Sequence, residues 1–198
     1  GQNRRPGAHR MKPAVLIVDM LDDTYKNENC PAALLAIVGP MRDFLKRCRA
    51  LSLPVIFACD SFLEDDFIFR GSRLKPHAIR GTAGAQVTPM LQPEPTDIVL
   101  PKRRFSAFFE TDLSRRLRAI DVDTVAIGGI NTHFCVLATA LDAVCSDFHT
   151  IILEDLSAVY RPEIHAHFME AYRNSVLYPL FRIATGDEFL NSLDNGHL

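Results

Sequence analysis

The chain has 198 residues, 47% of them hydrophobic, and a formal net charge of −2 at pH 7. This length and composition favour one globular domain with a substantial core. Both signs of charge are mixed along the chain, which argues against a nucleic-acid partner, because such proteins normally show a basic stripe. No apolar run approaches the roughly 20 residues that span a bilayer, so we expect no membrane partner either.

The first ten residues, 1–10, are polar and basic and lack the apolar stretch of a secretory signal. We interpret them as a disordered leader or a cloning remnant, followed by one domain over residues 11–198. The five cysteines are odd in number and widely spaced, and no C-x-x-C motif occurs. This pattern disfavours a zinc ribbon or a disulfide framework, and we expect a cytoplasmic location.

Apolar runs alternate with helical patterns along the chain. Residues 14–18 are apolar without alternation, as expected for a central parallel strand that is covered on both faces. Further strands are predicted over 54–59, 97–100, 124–127, 149–153 and 175–178. Helices are predicted over 31–50, 111–120, 136–144 and 162–174, with a final short helix after Gly186. The order predicts a single-domain α/β fold with a mostly parallel six-stranded sheet and helices on both faces.

The segment 61–95 shows little periodicity and is rich in glycine and proline. A long irregular stretch inside a compact domain is usually functional. We interpret it as a lid or substrate loop that contains a short helix around residues 86–91.

Three chemically useful side chains fall at the carboxyl ends of predicted strands, where parallel sheets bind ligands: Asp19, Lys102 and Cys135. Cys135 also follows a Gly-Gly bend and lies near the first turn of a helix. The partial positive charge there favours thiolate over thiol, and the free N–H groups can stabilise an oxyanion. The residues indicate a cysteine hydrolase in which Asp19 carries the proton and Lys102 favours both anions.

Five stretches carry a resemblance to a known family: residues 14–20, 81–85, 101–108, 128–136 and 153–158. Together they resemble the isochorismatase-like cysteine hydrolases, which include nicotinamidases, N-carbamoylsarcosine amidases and other small-amide hydrolases. The resemblance spans about residues 13–185. It implies a Rossmann-like three-layer fold and a catalytic triad of Asp19, Lys102 and Cys135.

The resemblance also implies a non-proline cis peptide between Ile130 and Asn131, and an oxyanion hole formed by the backbone N–H groups of Asn131 and Cys135. The implied reaction is attack by Cys135 on a small amide or carbamoyl compound, loss of ammonia or an amine, and hydrolysis of the thioester. Asp19 would shuttle the proton in both halves. Relatives commonly form dimers or tetramers, so we expect a homodimer or homotetramer.

One departure from the nicotinamidase pattern concerns a metal. Those relatives carry Asp-x-His after the second strand and another His before the Gly-Thr segment. Here Asp60 is followed by Phe62 in place of the first His, whereas His77 matches the second. Two protein ligands fall short of the usual three for catalytic zinc. Asp65 or Asp66 would have to supply the third ligand. We therefore expect no cofactor, and a divalent metal at Asp60 and His77 is the alternative.

The candidate substrate-binding residues are Phe62, Arg104, Phe105, Phe108 and His133. The phenylalanines would line an apolar pocket for a flat substrate, or pack in the core. Arg104, with its neighbour Arg103, would bind a substrate carboxylate, or form surface ion pairs. Two other functions stay open. One is isochorismatase-type hydrolysis of a vinyl ether, with Asp19 as the acid and no need for a thiol. The other is a non-catalytic role in assembly.

Overall fold

The computed structural model of the chain describes residues 10–195, so the predicted leader, apart from Arg10, lies outside the described residues. The strands are β1 (Pro13–Val18), β2 (Val55–Asp60), β3 (Ile98–Lys102), β4 (Thr124–Ile130), β5 (His149–Ala158) and β6 (Phe181–Ala184). They form one parallel sheet in the order β3-β2-β1-β4-β5-β6. The predicted six-stranded α/β architecture is confirmed.

The helices are α1 (Asp22–Tyr25), α2 (Ala32–Leu35), α3 (Val38–Ala50), α4 (Phe67–Arg70), α5 (Leu113–Ala119), α6 (Leu137–Cys145), α7 (Pro162–Tyr172) and α8 (Gly186–Asn195). The final helix predicted after Gly186 is therefore present. Across residues 10–195, none of these helices has both the length and the apolar character needed to cross a bilayer.

The central strand β1 is buried over its whole length and serves two separate cores. Its alternate side chains point to opposite faces of the sheet. Val15 and Ile17 join a core with α3 and α8, whereas Leu16 and Val18 join a core with α5, α6 and α7. Because both faces of β1 are covered, its sequence lacks the polar alternation of a half-exposed strand.

The helix predicted over residues 31–50 is interrupted between α2 and α3. Pro40 lies in the first turn of α3 and has no N–H to donate to the preceding turn. Proline is tolerated in that first turn, where helical N–H groups have no partner within the helix. The apolar periodicity continues across the interruption, which is why it does not reveal the break.

The last strand was predicted at the wrong place. Residues 175–178 form turns, and the strand lies at Phe181–Ala184, paired with residues 150–153 of β5. Val176 is 99% exposed, so this apolar residue does not pack against the sheet. The polypeptide reaches β6 only after Pro179, which follows a cis peptide bond.

The segment 61–95 is mostly irregular, as predicted, but it is tied to the domain at defined points. It contains α4 and two short 3-10 turns, at Ala83–Ala85 and Pro89–Leu91. The second turn falls inside the predicted helix of residues 86–91. Gly84 lies against Asp23, and a Cβ at Gly84 would come within 2.1 Å of the Asp23 carboxylate. A glycine is therefore needed where this segment contacts α1.

The sheet order places β1 beside β4 at its centre, with the chain progressing outward from each. Such a reversal of strand order opens a crevice at the carboxyl ends of the two central strands. Asp19 follows β1 and Asn131 follows β4, so both lie at this crevice.

Candidate active site

Asp19 is held at the crevice by contacts from the neighbouring strand. It adopts a positive φ of 54°, and its backbone N–H donates to the carbonyl of Ala58 at 2.9 Å. Its carboxylate accepts a hydrogen bond from the backbone N–H of Asp60 at 2.8 Å. The end of β2 therefore fixes both the backbone and the side chain of Asp19.

Lys102 reaches Asp19 from the edge of the sheet. It ends β3, which lies two strands from β1, a separation of about 10 Å at the usual strand spacing. Its Nζ donates to Asp19 Oδ2 at 2.9 Å, to Asp60 Oδ1 at 2.5 Å and to the carbonyl of Arg104 at 3.0 Å. These three bonds use all three ammonium protons, so the buried charge is fully satisfied.

Cys135 lies in a single π-helical turn, Thr132–Val136, that leads into α6. The preceding Gly129 has φ 118°, and a Cβ there would lie 2.1 Å from the carbonyl oxygen of Val18. A Cβ at Gly128 would lie 2.8 Å from the carbonyl oxygen of Leu156. The two glycines therefore let β4 pass closely between its neighbours before the chain turns toward the crevice.

The residues from the three strands meet beneath one cavity. The potential ligand atoms of Asp19, Asp60 and Cys135 all lie within 4.8 Å of one another. Cys135 is 7% exposed, and its sulfur lies within 4.8 Å of a carboxylate oxygen of Asp19. Asp19 thus contacts the ammonium of Lys102 on one side and the sulfur of Cys135 on the other.

The buried charges shift one another's pKa. Burial opposes the charge on Lys102, but the attraction of Asp19, Cys135 and Asp60 outweighs it and raises the Lys102 pKa. Burial, together with repulsion by Asp19, raises the pKa of Asp60 despite the nearby ammonium. Burial and the Asp19 charge also raise the pKa of the Cys135 thiol well above its ordinary value.

The raised pKa of Cys135 contradicts the prediction that its helix-start position favours the thiolate. The predicted position is correct, but desolvation and Asp19 together exceed the effect of Lys102. The raised pKa favours the neutral thiol at rest, with the carboxylate of Asp19 within 4.8 Å of the sulfur. A proton acceptor is needed at the moment of attack, and the nearby carboxylate of Asp19 is suited to that task.

The turn that precedes Cys135 has the backbone form that the resemblance implied. The peptide bond between Ile130 and Asn131 is cis. The carbonyl of Asn131 accepts from the backbone N–H of Phe134 at 3.1 Å and of Val136 at 3.2 Å. Thr132 Oγ1 is hydrogen-bonded to Nδ1 of His165 in α7 at 2.8 Å. The turn is therefore anchored both internally and by a neighbouring helix.

A cavity of about 890 Å³ opens above these residues. Its buried floor includes Asp19, Asp60, Cys135 and the Ile130–Asn131 peptide. Its walls carry mainly apolar and aromatic side chains: Phe62, Ile68, Leu74, Phe105, Phe134 and Tyr160. A space of this size, apolar with a few polar groups at its floor, is typical of a small-molecule site.

Two of the five predicted substrate-binding residues line the cavity: Phe62 and Phe105. Phe62 is buried and packs edge-on against Phe69 and His77. Phe105 pairs with Phe134 at a centroid distance of 5.6 Å. The aromatic wall predicted for a flat substrate is thus partly present.

The other three predicted substrate residues do not line the cavity. Arg104 pairs with Asp66 at 3.1 Å, because Asp66 is a buried carboxylate that requires a cation. Phe108 packs against Phe148 in the core beneath α5 and α6. His133 packs against Phe134, and burial lowers its pKa, so its ring is neutral.

The residues at the alternative metal position do not fit a three-ligand site. Asp60 is bound by the ammonium of Lys102, which already supplies a positive charge. Nδ1 of His77 is hydrogen-bonded to the carbonyl of Lys75 at 2.9 Å, and its ring packs on Phe62, where a second histidine ligand would be needed. Of the predicted substitutes, Asp66 is occupied by Arg103 and Arg104, and Asp65 does not line the cavity.

Several residues at the site were not singled out from the sequence. Asp60 was predicted to lie at this end of the sheet and was given a role only as a metal ligand, yet it is the second carboxylate on Lys102. Its position at the end of β2, between the ends of β1 and β3, was the available signal. Phe134, Tyr160 and Arg73 also line the cavity. They come from distant parts of the chain and share no motif.

The chain is similar to known proteins over most of its length. The isochorismatase domain matches residues 13–181. The chain is 30% identical over 181 residues to the uncharacterized isochorismatase family protein PncA of Bacillus subtilis (strain 168), covering 84% of this chain and 97% of the relative. It is 34% identical over 190 residues to the ureidoacrylate amidohydrolase RutB of Agrobacterium fabrum, covering 80% and 82%.

The solved structure of N-carbamoylsarcosine amidase from Thermoplasma acidophilum has the same fold. The TM-score is 0.75 at 30% identity, covering 89% of this chain and 98% of that one. The family predicted from the five stretches is confirmed: the chain belongs to the isochorismatase family of hydrolases.

Proposed function

We propose that this hydrolase cleaves the C–N bond of a small amide or carbamoyl compound, with Cys135 as the nucleophile. The observation that carries the proposal is the position of Asp19, which contacts both the thiol of Cys135 and the ammonium of Lys102 at the floor of the cavity. Two relatives, a ureidoacrylate amidohydrolase and an N-carbamoylsarcosine amidase, are named for substrates with a carbamoyl group on nitrogen.

The first half of the reaction begins from the neutral thiol. Asp19 accepts the thiol proton as the sulfur of Cys135 forms a bond to the substrate carbonyl carbon. The carbonyl oxygen gains negative charge and faces the backbone N–H groups of Asn131 and Cys135. Protonated Asp19 then donates its proton to the leaving nitrogen as the C–N bond breaks, and ammonia or an amine departs.

The second half hydrolyses the thioester. A water gives one proton to Asp19 while its oxygen bonds to the acyl carbon. The C–S bond breaks, the acid product leaves, and the proton returns from Asp19 to the sulfur. Lys102 remains protonated throughout, because its pKa is raised, and its charge stabilises the thiolate as it forms. Asp60 holds the ammonium in place from the other side.

The alternative of vinyl-ether hydrolysis uses Asp19 as an acid and gives the thiol no task. The contact between Asp19 and the buried Cys135 thiol therefore favours the amidase. Attack by a neutral thiol requires a base beside it, and the carboxylate of Asp19 meets that requirement.

The test is the release of ammonia from a panel of small amides and carbamoyl compounds, run beside the release of pyruvate from isochorismate. We expect ammonia release by the wild type, reduced about 10⁴-fold or more in Cys135→Ser. Cys145→Ser is the matched control, because that cysteine is exposed and outside the cavity, and we expect its activity to stay within about twofold. Full turnover by Cys135→Ser, or release of pyruvate alone, would contradict the proposal.

A further inference from the structure

Arg73 lines the cavity and is its only lysine or arginine among the residues that the structure describes. We infer that Arg73 selects substrates that carry a carboxylate besides the scissile amide or carbamoyl group, an inference that rests on the proposed function. Arg73 would act on selection rather than on the bond-breaking steps, because those occur at the buried floor of the cavity.

The segment around Arg73 is held on both sides by Ser72. The Ser72 hydroxyl donates to the carbonyl of Ile68, in α4, at 2.6 Å. The same oxygen accepts from the backbone N–H of Leu74 at 3.1 Å. Ile68, Ser72 and Leu74 also line the cavity. The backbone that carries Arg73 is therefore fixed to the cavity wall at the residue before it and the residue after it.

The two arginines that the sequence suggested for binding a substrate carboxylate are already paired with a carboxylate of the protein. Arg103 and Arg104 both pair with the buried carboxylate of Asp66, at 3.4 and 3.1 Å. Arg73, by contrast, has no hydrogen bond or ion pair with any other residue between 10 and 195. Its guanidinium is exposed at the cavity and available to a ligand.

The charges of the floor determine where a substrate anion is tolerated. Asp19 and Asp60 face one ammonium, Lys102, so the ionised floor carries one net negative charge. A carboxylate beside them would be repelled, whereas one at the exposed rim near Arg73 would be attracted. The cavity therefore has a negative floor, apolar walls and one cation, which orients a substrate with its neutral amide inward.

These features fit an N-carbamoyl amino acid or a related amide acid. Its neutral carbamoyl group would meet Cys135, its aliphatic part would contact the apolar walls, and its carboxylate would meet the guanidinium. A guanidinium forms two parallel hydrogen bonds to a carboxylate, so arginine discriminates by geometry as well as charge.

The test compares substrates of matched shape with and without the carboxylate. N-carbamoylglycine is paired with isobutylurea, and N-carbamoyl-β-alanine with isopentylurea. For each, kcat and KM of ammonia release are measured with wild type, Arg73→Gln and Arg73→Lys. Arg70→Gln is the matched control, because Arg70 ends α4 nearby but does not line the cavity.

We expect the wild type to prefer at least one carboxylate substrate by about tenfold or more in kcat/KM over its neutral partner. Arg73→Gln should lose most of that preference through KM, with kcat nearly unchanged and the neutral urea unaffected. Arg73→Lys should keep part of the preference for the carboxylate substrate, and Arg70→Gln should keep all of that preference. An equal loss on both members of a pair, or no loss at all, would overturn the inference.

A binding measurement separates this inference from the proposed function. If the wild type releases ammonia from no compound, the proposed amidase activity fails for this panel. Calorimetry with Cys135→Ser then compares N-carbamoylglycine and isobutylurea directly. Binding of the acid that is about tenfold tighter, and lost in Cys135→Ser/Arg73→Gln, supports Arg73 as the selector. Equal affinity for the two compounds overturns it.

Discussion

The floor and the rim of the cavity are built in opposite ways. At the floor, Lys102 is 1% exposed and Asp19 and Asp60 are each 6% exposed, and direct ionic contacts join them. At the rim, Phe134 and Tyr160 are 52% and 53% exposed, and Arg73 belongs to the irregular segment. The floor is attached to the ends of strands, whereas much of the rim is attached to the segment 61–95.

This difference assigns bond breaking to the floor of the cavity and the choice of substrate to its rim. Floor residues are interdependent, because each buried charge is stabilised by the others and would be costly alone. Arg73, by contrast, has no hydrogen bond or ion pair with another residue between 10 and 195, so its substitution leaves no buried charge unpaired. We therefore expect floor substitutions to change activity and stability together, and rim substitutions to change the choice of substrate alone.

The largest effect is expected at Lys102. Lys102→Met leaves two buried carboxylates without a cation, and we expect the free energy of unfolding at pH 7.5 to fall by about 3–5 kcal/mol. Ammonia release should fall at least about 10³-fold, because Asp19 and the forming thiolate lose their positive partner. Urea unfolding and steady-state kinetics measure the two losses.

Lys46→Met is the control for the Lys102 variant, because Lys46 is exposed on α3. Lowering the pH to 5 should restore part of the lost stability in Lys102→Met, since the carboxylates are then able to protonate. Unchanged unfolding of Lys102→Met at pH 7.5 would mean that the floor is not held together by this ion cluster.

A smaller effect concerns pH and Asp60. Burial raises the pKa of Asp60 from 3.8 to about 7 in the folded protein. The folded state therefore binds this proton more tightly than the unfolded chain does. The resulting stability is present below about pH 4 and is lost as the pH rises through about 7. Between pH 4 and 8, the wild type should lose about 4 kcal/mol relative to Asp60→Asn, which lacks this titration, because about three pKa units at about 1.4 kcal/mol each separate the folded from the unfolded state.

The comparison between the wild type and Asp60→Asn cancels the contributions of the histidines, which both proteins share. Chemical unfolding at intervals of one pH unit measures the difference. Asp43→Asn is the control, because Asp43 is exposed on α3, and its free energy of unfolding should change with pH as that of the wild type does. If the free energy of unfolding of Asp60→Asn changed with pH in the same way as that of the wild type, the pKa of Asp60 would not be raised.

The smallest effect is expected at Arg104. Its side chain pairs with Asp66 and does not line the cavity. Its contact with Lys102 is made by the backbone carbonyl, which a substitution preserves. We expect Arg104→Gln to change KM for N-carbamoylglycine less than about twofold. Stability should change by about 1 kcal/mol, because Arg103 still pairs with the buried carboxylate of Asp66. A KM effect as large as that of Arg73→Gln would place Arg104 at the rim after all.

The floor was largely predictable from the sequence. Asp19 and Lys102 each stand at or just beyond the end of an apolar run, and Cys135 follows a Gly-Gly bend after another. Parallel strands bring their carboxyl ends to one edge, so topology alone assembles these side chains. The protonation state of Cys135 was not predictable, because it depends on burial and on the distance to Asp19, neither of which a linear pattern contains.

The rim was not predictable in the same way. Arg73 and Tyr160 belong to irregular chain, which has no period to interpret, and the position of Phe134 beside Cys135 does not show that its side chain faces the cavity. The sequence left Arg103 and Arg104 between two roles, binding a substrate carboxylate and forming ion pairs, because nothing in it shows that Asp66 is buried. Segment 175–178 has strand-like composition but is followed by Pro179, and the pairing with β5 begins further along.

The reach of Lys102 across β2 has a mechanical consequence. β3 is the outermost strand on its side of the sheet, held there by one neighbour, and it supplies the ammonium to a cluster two strands away. Edge strands are where local fraying begins, because half of their backbone hydrogen-bonding groups face away from the sheet. Separation of β3 from β2 would therefore remove the ammonium of Lys102 from the carboxylates of Asp19 and Asp60. The charge balance at the centre of the sheet thus depends on the pairing of an edge strand.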